Sequence, residues 1–395
     1  MKALSALLIL PLAFLGHTFS TAQPTSGLPC PPYCGFKTVT FQTKGSQLLD
    51  PCGQPVVLKG VNKMAVFDYA DPVGAGYLPQ IAQTGANCVR LAWEMTSIVN
   101  GRRVVNPLSQ LDQLITNAKA NKLIPIVGLW DYTNTDDGGF AHLTEYVRYW
   151  TRPAMLALIR KHRQYLIINI GNETAKSAEN GGNETIAADL AVYANAYKNA
   201  LIRMRRAGIQ VPLMIDGMDR GKSLHCFAVK GLEIARAHPA KNVIFSFHAY
   251  WPKRYTDASP AFIQNAFAEV STLPVPIVIG ELAQYGAWPG DALTSPCSAA
   301  GLVDYEQFAQ RANDAGMGWL AWEWGPGNQW KTANDCPQLD ITTDGMYRSV
   351  AATSPTAVNA WGRTLLINSP ISVKNTAQKT FFVNSGFRQC PRPDR

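Results

Sequence analysis

Charge is scarce in this chain. Only 16% of its 395 residues are Asp, Glu, Lys or Arg, although 36 basic against 28 acidic residues leave a formal net charge of +8. The basic residues are scattered, and their tightest group, Arg203, Arg205 and Arg206, falls on an expected helix. Nucleic-acid binders concentrate Lys and Arg on one face, so no nucleic-acid partner is expected. Long apolar runs are also missing. The longest, from Leu4 to Leu15, is shorter than the ~20 residues a helix needs to cross a bilayer core, so no membrane anchor is expected. There is no internal repeat and no long linker, which argues against solenoids and strings of binding modules. Histidine is rare, with six dispersed residues, and Cys30-x3-Cys34 has no second close cysteine pair to complete a zinc site. The first apolar run ends in Lys59-Gly60-Val61-Asn62 rather than a glycine-rich turn, so a doubly wound nucleotide-binding sheet lacks its signature.

What is present is apolar and aromatic: 47% hydrophobic residues, with 10 Trp, 14 Tyr and 15 Phe. That composition suits a globular, secreted, sugar-handling protein. Residues 1–22 have the form of an export signal, with Lys2, an apolar stretch and small residues Ser20-Thr21-Ala22 at the cleavage point. All eight cysteines, 30, 34, 52, 88, 226, 297, 336 and 390, follow that point, and an oxidising destination favours disulfides. Cys297 with Cys336 is the favoured pair, and Cys88, in an apolar run, is expected to be a free buried thiol. Asn183-Glu184-Thr185 matches an N-glycosylation acceptor.

After a Cys/Pro-rich leader at 23–44, short β-branched runs alternate with helix-periodic segments. The runs are Val56–Val61, Asn87–Leu91, Ile124–Leu129, Leu166–Ile170, Leu213–Ile215, Val243–Phe247, Ile277–Ile279 and Gly318–Ala321. They are continuously apolar, as parallel strands covered on both faces should be. Between them, Leu108–Lys122, Ala187–Ala207, Ala261–Leu273 and Tyr305–Ala315 carry apolar residues near helical spacing. This order predicts an α/β fold: a single (β/α)8 TIM barrel over residues 45–368, with a polar tail at 369–395 that packs through Cys390 or frays.

In such a barrel the residues just past each strand share one mouth. Here they are Asn62; Arg90, Trp93 and Glu94; Trp130 and Asp131; Asn172 and Glu173; Asp216; His248 and Tyr250; Glu281; and Trp322, Glu323 and Trp324. Two apolar strands break into carboxylates, at Ile170-Gly171-Asn172-Glu173 and Ile279-Gly280-Glu281. Paired carboxyls about 5–5.5 Å apart are what glycoside hydrolysis with retention requires. Arg90 is positioned to keep Glu281 ionised, Tyr250 to hydrogen-bond it, and His248 to orient Tyr250 or tune the acid/base. Asn172 is a candidate for a sugar hydroxyl and Trp322 for a ring face. Glu94 and Glu323 either bind substrate hydroxyls or pair with Arg or Lys, and Asp131 and Asp216 are expected to orient loops. Trp93, Trp130, Trp251, Trp288 and Trp330 are candidate sugar platforms.

These motifs resemble glycoside hydrolase family 5 from about Gly45 to Leu366. The marks are Leu58-Lys59-Gly60-Val61-Asn62, Gly85-Ala86-Asn87-Cys88-Val89-Arg90, Ile170-Gly171-Asn172-Glu173, Phe247-His248-Ala249-Tyr250, Val278-Ile279-Gly280-Glu281 and Trp319-Leu320-Ala321-Trp322-Glu323-Trp324. The resemblance implies Glu173 as acid/base and Glu281 as nucleophile. It implies Arg90, Asn172, His248, Tyr250 and Trp322 as their support, with no metal or organic cofactor. Within the family the chain looks most like bacterial endo-β-1,4-mannanases, as Met214-Ile215-Asp216 and the Trp322-x-Trp324 pattern suggest, with cellulases second. It departs from them at Trp130, where they carry His, and at Arg220, where they carry an aromatic. The implied protein is a secreted, monomeric retaining β-glycanase whose partner is a β-1,4-linked polysaccharide. A non-catalytic carbohydrate-binding barrel is the reading from another class.

Overall fold

The computed structural model describes residues 37–99, 101–133, 140–175, 185–256, 261–286, 297–327, 339–342 and 358–391. The expected export signal at residues 1–22, Cys30, Cys34, Cys336, Asn183, Trp288 and Trp330 lie outside the described residues.

The chain begins with a small antiparallel sheet of β1 (Gln42–Lys44), β2 (Gln47–Leu49) and β3 (Pro55–Val56). The barrel then starts with β4 (Lys59–Lys63) and β5 (Cys88–Trp93). A hairpin of β6 (Thr96–Val99) and β7 (Arg102–Val105) interrupts the rhythm, with Asn100-Gly101 between its strands. The barrel continues with β8 (Ile124–Leu129), β9 (Ile167–Asn169), β10 (Leu213–Asp216), β11 (Val243–Ala249), β12 (Ile277–Leu282) and β13 (Gly318–Ala321). Its eight strands pair in parallel and close in the order β10-β11-β12-β13-β4-β5-β8-β9. This is the (β/α)8 architecture. The expected run Val56–Val61 divides in two: Val56 pairs with Leu48 in the small sheet, and the barrel strand begins only at Lys59.

Helices cover the outside. They are α1 (Tyr77–Gln83), α2 (Leu108–Ala120), α3 (Phe140–Trp150), α4 (Pro153–His162), α5 (Ala187–Arg206), α6 (His225–Ala235), α7 (Lys253–Thr256), α8 (Phe262–Val270) and α9 (Tyr305–Asp314). The expected periodicity places the buried faces: α2 buries Leu111, Leu114, Ile115 and Ala118, and α5 buries Leu190, Tyr193, Tyr197 and Leu201. Proline at the first position starts α4, where its missing N–H costs no hydrogen bond.

The N-terminal sheet sits at the opening ends of the strands. Asn242, just before β11, donates to the Phe41 carbonyl at 2.9 Å and accepts from the Thr43 N–H at 3.0 Å. The C-terminal segment runs from α10 (Ala360–Arg363), whose Trp361 packs on Tyr305, through α11 (Val373–Thr376) to α12 (Phe381–Asn384), which reaches this sheet. Phe382 and Phe387 are buried there, against Phe41 and Tyr165. Cys390 is bonded to Cys52, so the tail packs rather than frays. Cys88 and Cys226 are buried thiols outside any disulfide, and Cys297 is disulfide-bonded.

A disulfide joining residues 338 positions apart removes much of the freedom of the unfolded chain. Cys52→Ala is expected to lower the unfolding free energy by about 2–4 kcal/mol in a denaturant titration. An unchanged midpoint would mean that the bond adds nothing to the noncovalent docking of the tail.

Candidate active site

A glycine stands two residues before Glu173 and one before Glu281, and in both places a side chain would not fit. A Cβ on Gly171 would lie 2.2 Å from the Tyr146 ring, and one on Gly280 would lie 2.1 Å from Ser246 Oγ. Gly280 is also a bulge. Along β12, Ile279 pairs with Phe247 and Glu281 with His248, so Gly280 is the extra residue. The bulge sets Glu281 beside His248 of β11. On the other strand, pairing persists past β9, with the Asn172 N–H bonded to the Leu129 carbonyl at 2.7 Å. The next residue, Glu173, turns sharply into left-handed backbone at φ 48°. Its N–H is held by Asp216 Oδ2 at 3.1 Å.

Arg90, on β5, is 1% exposed and uses every N–H it has. Nη1 donates to Glu281 Oε1 at 2.7 Å and to Asn62 Oδ1 at 2.9 Å. Nη2 donates to Asn169 Oδ1 at 2.8 Å and Asn172 Oδ1 at 2.5 Å, and Nε reaches Asn169 Oδ1 at 3.2 Å. Glu281, 2% exposed, also accepts from the Tyr250 hydroxyl at 2.5 Å. Glu173 faces His248, with Oε1 2.8 Å from Nδ1. One carboxylate oxygen of each glutamate and a ring nitrogen of His248 all lie within 4.8 Å of one another.

The charges of this cluster are strongly coupled. Burial alone would strip His248 of its proton, but the charges of Glu281 and Asp216 outweigh it and raise its pKa to about 10. Burial pushes Asp216 up, yet the His248 and Arg90 charges and the Glu173 N–H hold it at about 2. Burial raises the Glu281 carboxyl; His248, Arg90 and Tyr250 pull against the rise, and the Glu173 charge adds to it.

Glu173, His248 and Glu281 are the one group of His, Cys, Asp and Glu among the described residues that lies close enough to hold a metal ion. Two cations already serve these carboxylates, the Arg90 guanidinium and the His248 imidazolium. The donor set therefore suits carboxylate chemistry better than a divalent ion.

Around the cluster, Met64, Ala92, Ala283 and Trp322 form a small apolar group, with Phe67, Trp130, Tyr250 and Leu339 against it. Trp130 and Trp322 stack at 5.0 Å and 15°, so each covers a face of the other. The Arg90 guanidinium lies 5.6 Å from the Trp130 ring. The Trp130 indole N–H is buried and makes no hydrogen bond among the described residues.

Several expectations change here. Trp324 is fully buried and groups with the main core rather than with the small apolar group at the mouth. Trp93 and Trp251 are also buried, with their indole N–H groups on the Tyr149 hydroxyl and the Lys222 carbonyl. Neither offers a sugar platform. Asn172 is buried, with Oδ1 on Arg90 and one of its two Nδ2 hydrogens on Thr133 Oγ1 at 3.1 Å. His248 contacts Glu173 directly, while its ring meets Tyr250 only edge-on at 6.4 Å. Glu323 is fully buried, accepts the Met64 N–H at 2.9 Å, and is pushed well up by burial and by Asp340. Burial and the Asp131 charge raise Glu94 to about 7. Asp131 holds the loop after β5 through the Met95 and Thr96 N–H groups. Asp216, expected to orient a loop, instead reaches Glu173, His248, Arg90 and Asn169. Asn169 is not among the expected site residues, although an Asn between Ile168 and Ile170 in a buried strand signals a buried polar partner.

Known proteins share this arrangement of chain. Residues 49–328 match the family model described as Cellulase (glycosyl hydrolase family 5). A mannan endo-1,4-beta-mannosidase of Cellvibrio japonicus is 28% identical over 351 residues, covering 88% of this chain and 70% of that protein. One from Salipaludibacillus agaradhaerens is 28% identical over 305 residues, covering 77% and 86%. The solved catalytic domain of a mannanase from Streptomyces sp. SirexAA-E superposes with TM-score 0.66 at 23% identity, covering 91% of this chain and 99% of that one.

Removing the guanidinium would leave a buried carboxylate and three amide oxygens without their donor. Arg90→Met is expected to cost about 3–5 kcal/mol of folding stability in urea titration. A loss below about 1 kcal/mol would show that the mouth does not depend on Arg90.

Proposed function

Because the chain belongs to glycosyl hydrolase family 5, we propose that it is a secreted endo-β-1,4-mannanase that works by double displacement with retention. That it is a glycoside hydrolase follows from the family. The mechanism rests on one observation: the Glu173 and Glu281 carboxylates approach within 4.8 Å at the ends of two barrel strands. Retaining enzymes need about 5–5.5 Å between the two carboxyls, whereas inverting enzymes leave about 6.5–9.5 Å for a water.

Glu281 is the nucleophile, because two donors, Arg90 and Tyr250, fix its oxygens and favour the carboxylate. Its oxygen bonds to the anomeric carbon as the glycosidic bond breaks. Glu173 gives its proton to the departing oxygen. In the second half, Glu173 takes a proton from water, whose oxygen attacks the anomeric carbon and releases Glu281. Glu173 suits the acid/base role because it is the more accessible of the two, with its side chain 11% exposed against 2% for Glu281.

Mannan as substrate is supported by the relatives, which carry the name mannan endo-1,4-beta-mannosidase. A β-1,4-glucan is the second reading, favoured by one observation: Trp130 stacks on Trp322 at the mouth, where the mannanases of the family carry His. Export is supported by the pattern of residues 1–22. No described helix is long and apolar enough to cross a membrane.

Reducing-sugar release should be led by β-mannan and glucomannan over carboxymethylcellulose, mixed-linkage β-glucan and xylan, with Glu281→Ala as the blank. A profile led by glucans would transfer the assignment to the second reading. Equal sugar release by wild type and Glu281→Ala would end the enzymatic mechanism. By NMR, the first product formed should be the β anomer, and an initial α anomer would exclude retention. Glu173→Ala should slow mannan hydrolysis by roughly 10²–10⁴-fold. It should largely spare glycosyl transfer from a dinitrophenyl β-mannobioside, whose leaving group needs no proton.

A further inference from the structure

We infer that Asp216 is a positioning residue for proton transfer, fixing the backbone of Glu173 directly and the charge that Glu173 faces through His248. The inference deepens the glycosidase reading above and rests on it. Asp216 ends β10 and is fully buried. Its Oδ2 accepts the Glu173 N–H at 3.1 Å and lies 3.6 Å from His248 Nε2 and 3.5 Å from Arg90 Nη2. Its Oδ1 accepts from Asn169 Nδ2 at 3.1 Å, and its carbonyl accepts from the Tyr193 hydroxyl at 3.0 Å.

Two consequences follow from this geometry. First, Glu173 sits in left-handed backbone, which a side chain with a Cβ disfavours, so something must hold it there. The carboxylate on its N–H is that anchor. Second, the His248 ring has a carboxylate near each nitrogen, Glu173 at Nδ1 and Asp216 at Nε2. Nδ1 is within hydrogen-bond distance of Glu173, while Nε2 is buried with no hydrogen-bond partner among the described residues and feels the Asp216 carboxylate across 3.6 Å; two anions flanking one buried ring favour its protonated, imidazolium form. When Glu173 has given up its proton to the leaving oxygen, this cation lies 2.8 Å away to take the new charge. Asp216 keeps the cation in place between turnovers.

The groups facing the His248–Asp216 pair are Arg90 from β5, Glu173 beyond β9, Tyr193 and Tyr197 from α5, Cys226 from α6, Tyr250 after β11 and Glu281 of β12. Burial pushes the three tyrosine hydroxyls up, so they stay neutral across the working range. Deleting the charge of Asp216 removes one anion from this buried set. Its protons are then lost more easily, so deprotonation moves to lower pH.

The test is Asp216→Asn, which keeps the shape but removes the charge and one of two acceptors. The basic limb of kcat/KM on mannan should move down by about one pH unit or more. The kcat on mannan should fall by at least about tenfold while KM changes by less than about threefold. Release of dinitrophenol from the mannobioside should fall much less than mannan hydrolysis. Equal losses on both substrates with an unmoved basic limb would reduce Asp216 to scaffold and overturn the inference. A substrate-free readout stands beside these. By ¹⁵N NMR, with His248 assigned through His248→Gln, the wild-type imidazole should remain cationic at pH 8, and in Asp216→Asn it should be neutral there. A neutral ring in the wild type would overturn the inference even if the variant failed to fold. A wild type silent on every glycan would instead defeat the functional reading, while the NMR result still decided the Asp216–His248 couple.

Discussion

A guanidinium buried at the mouth of the barrel is the constraint on which the rest of the site is arranged. Taking such a charge out of water costs several kcal/mol unless each N–H finds an acceptor and a counter-charge is close. Arg90 meets both conditions with three asparagines, one glutamate in contact and an aspartate at 3.5 Å. These partners come from the first, fourth, fifth and seventh barrel strands or their ends. A single side chain thus fixes the relative depth of strands that share no loop. It also explains polar residues in runs that are otherwise apolar. Asn62 passes the restraint on, donating to the Gly280 carbonyl at 2.9 Å, next to Glu281.

The two carboxylates reach the same space by different backbone devices. Glu281 is aimed by a bulge within a strand, and Glu173 by a left-handed residue beyond one. The bulge is rigid because β11 and β13 flank it on either side. The left-handed turn is held by a side chain instead. The proposed nucleophile is therefore placed by the sheet, and the proposed acid/base by a carboxylate on its backbone N–H. That division suits their tasks, since one must be still and ionised while the other must change its proton twice in each turnover.

The eight strands were legible because a parallel strand buried on both faces has a signature that survives without context. The carboxylate pair was legible because barrel topology alone brings strand ends together. Which tryptophans face the mouth was not legible. Trp322 and Trp324 are two residues apart, yet one joins the apolar group at the mouth and the other the main core. The chain beyond β13 is no longer a regular strand, so period-two alternation does not apply. The hairpin of β6 and β7 could have been read, since Asn100-Gly101 is a strong turn signal. The exposed second strand, which opens on Arg102-Arg103, concealed it. The role of Asp216 was hidden for another reason: its partners lie 43 and 32 residues away and meet it only once the barrel has closed.

The bond between Cys52 and Cys390 gives the molecule a covalent topology that its linear sequence does not have. All eight barrel strands and all the helices between them lie within one closed loop of chain. A protease that cuts once in any surface connection inside that loop produces no free fragment. The two pieces stay tethered at the base, and the noncovalent barrel holds the cut edges in register. Wherever a protease meets the folded chain, a single nick is then a change in connectivity rather than a loss of structure.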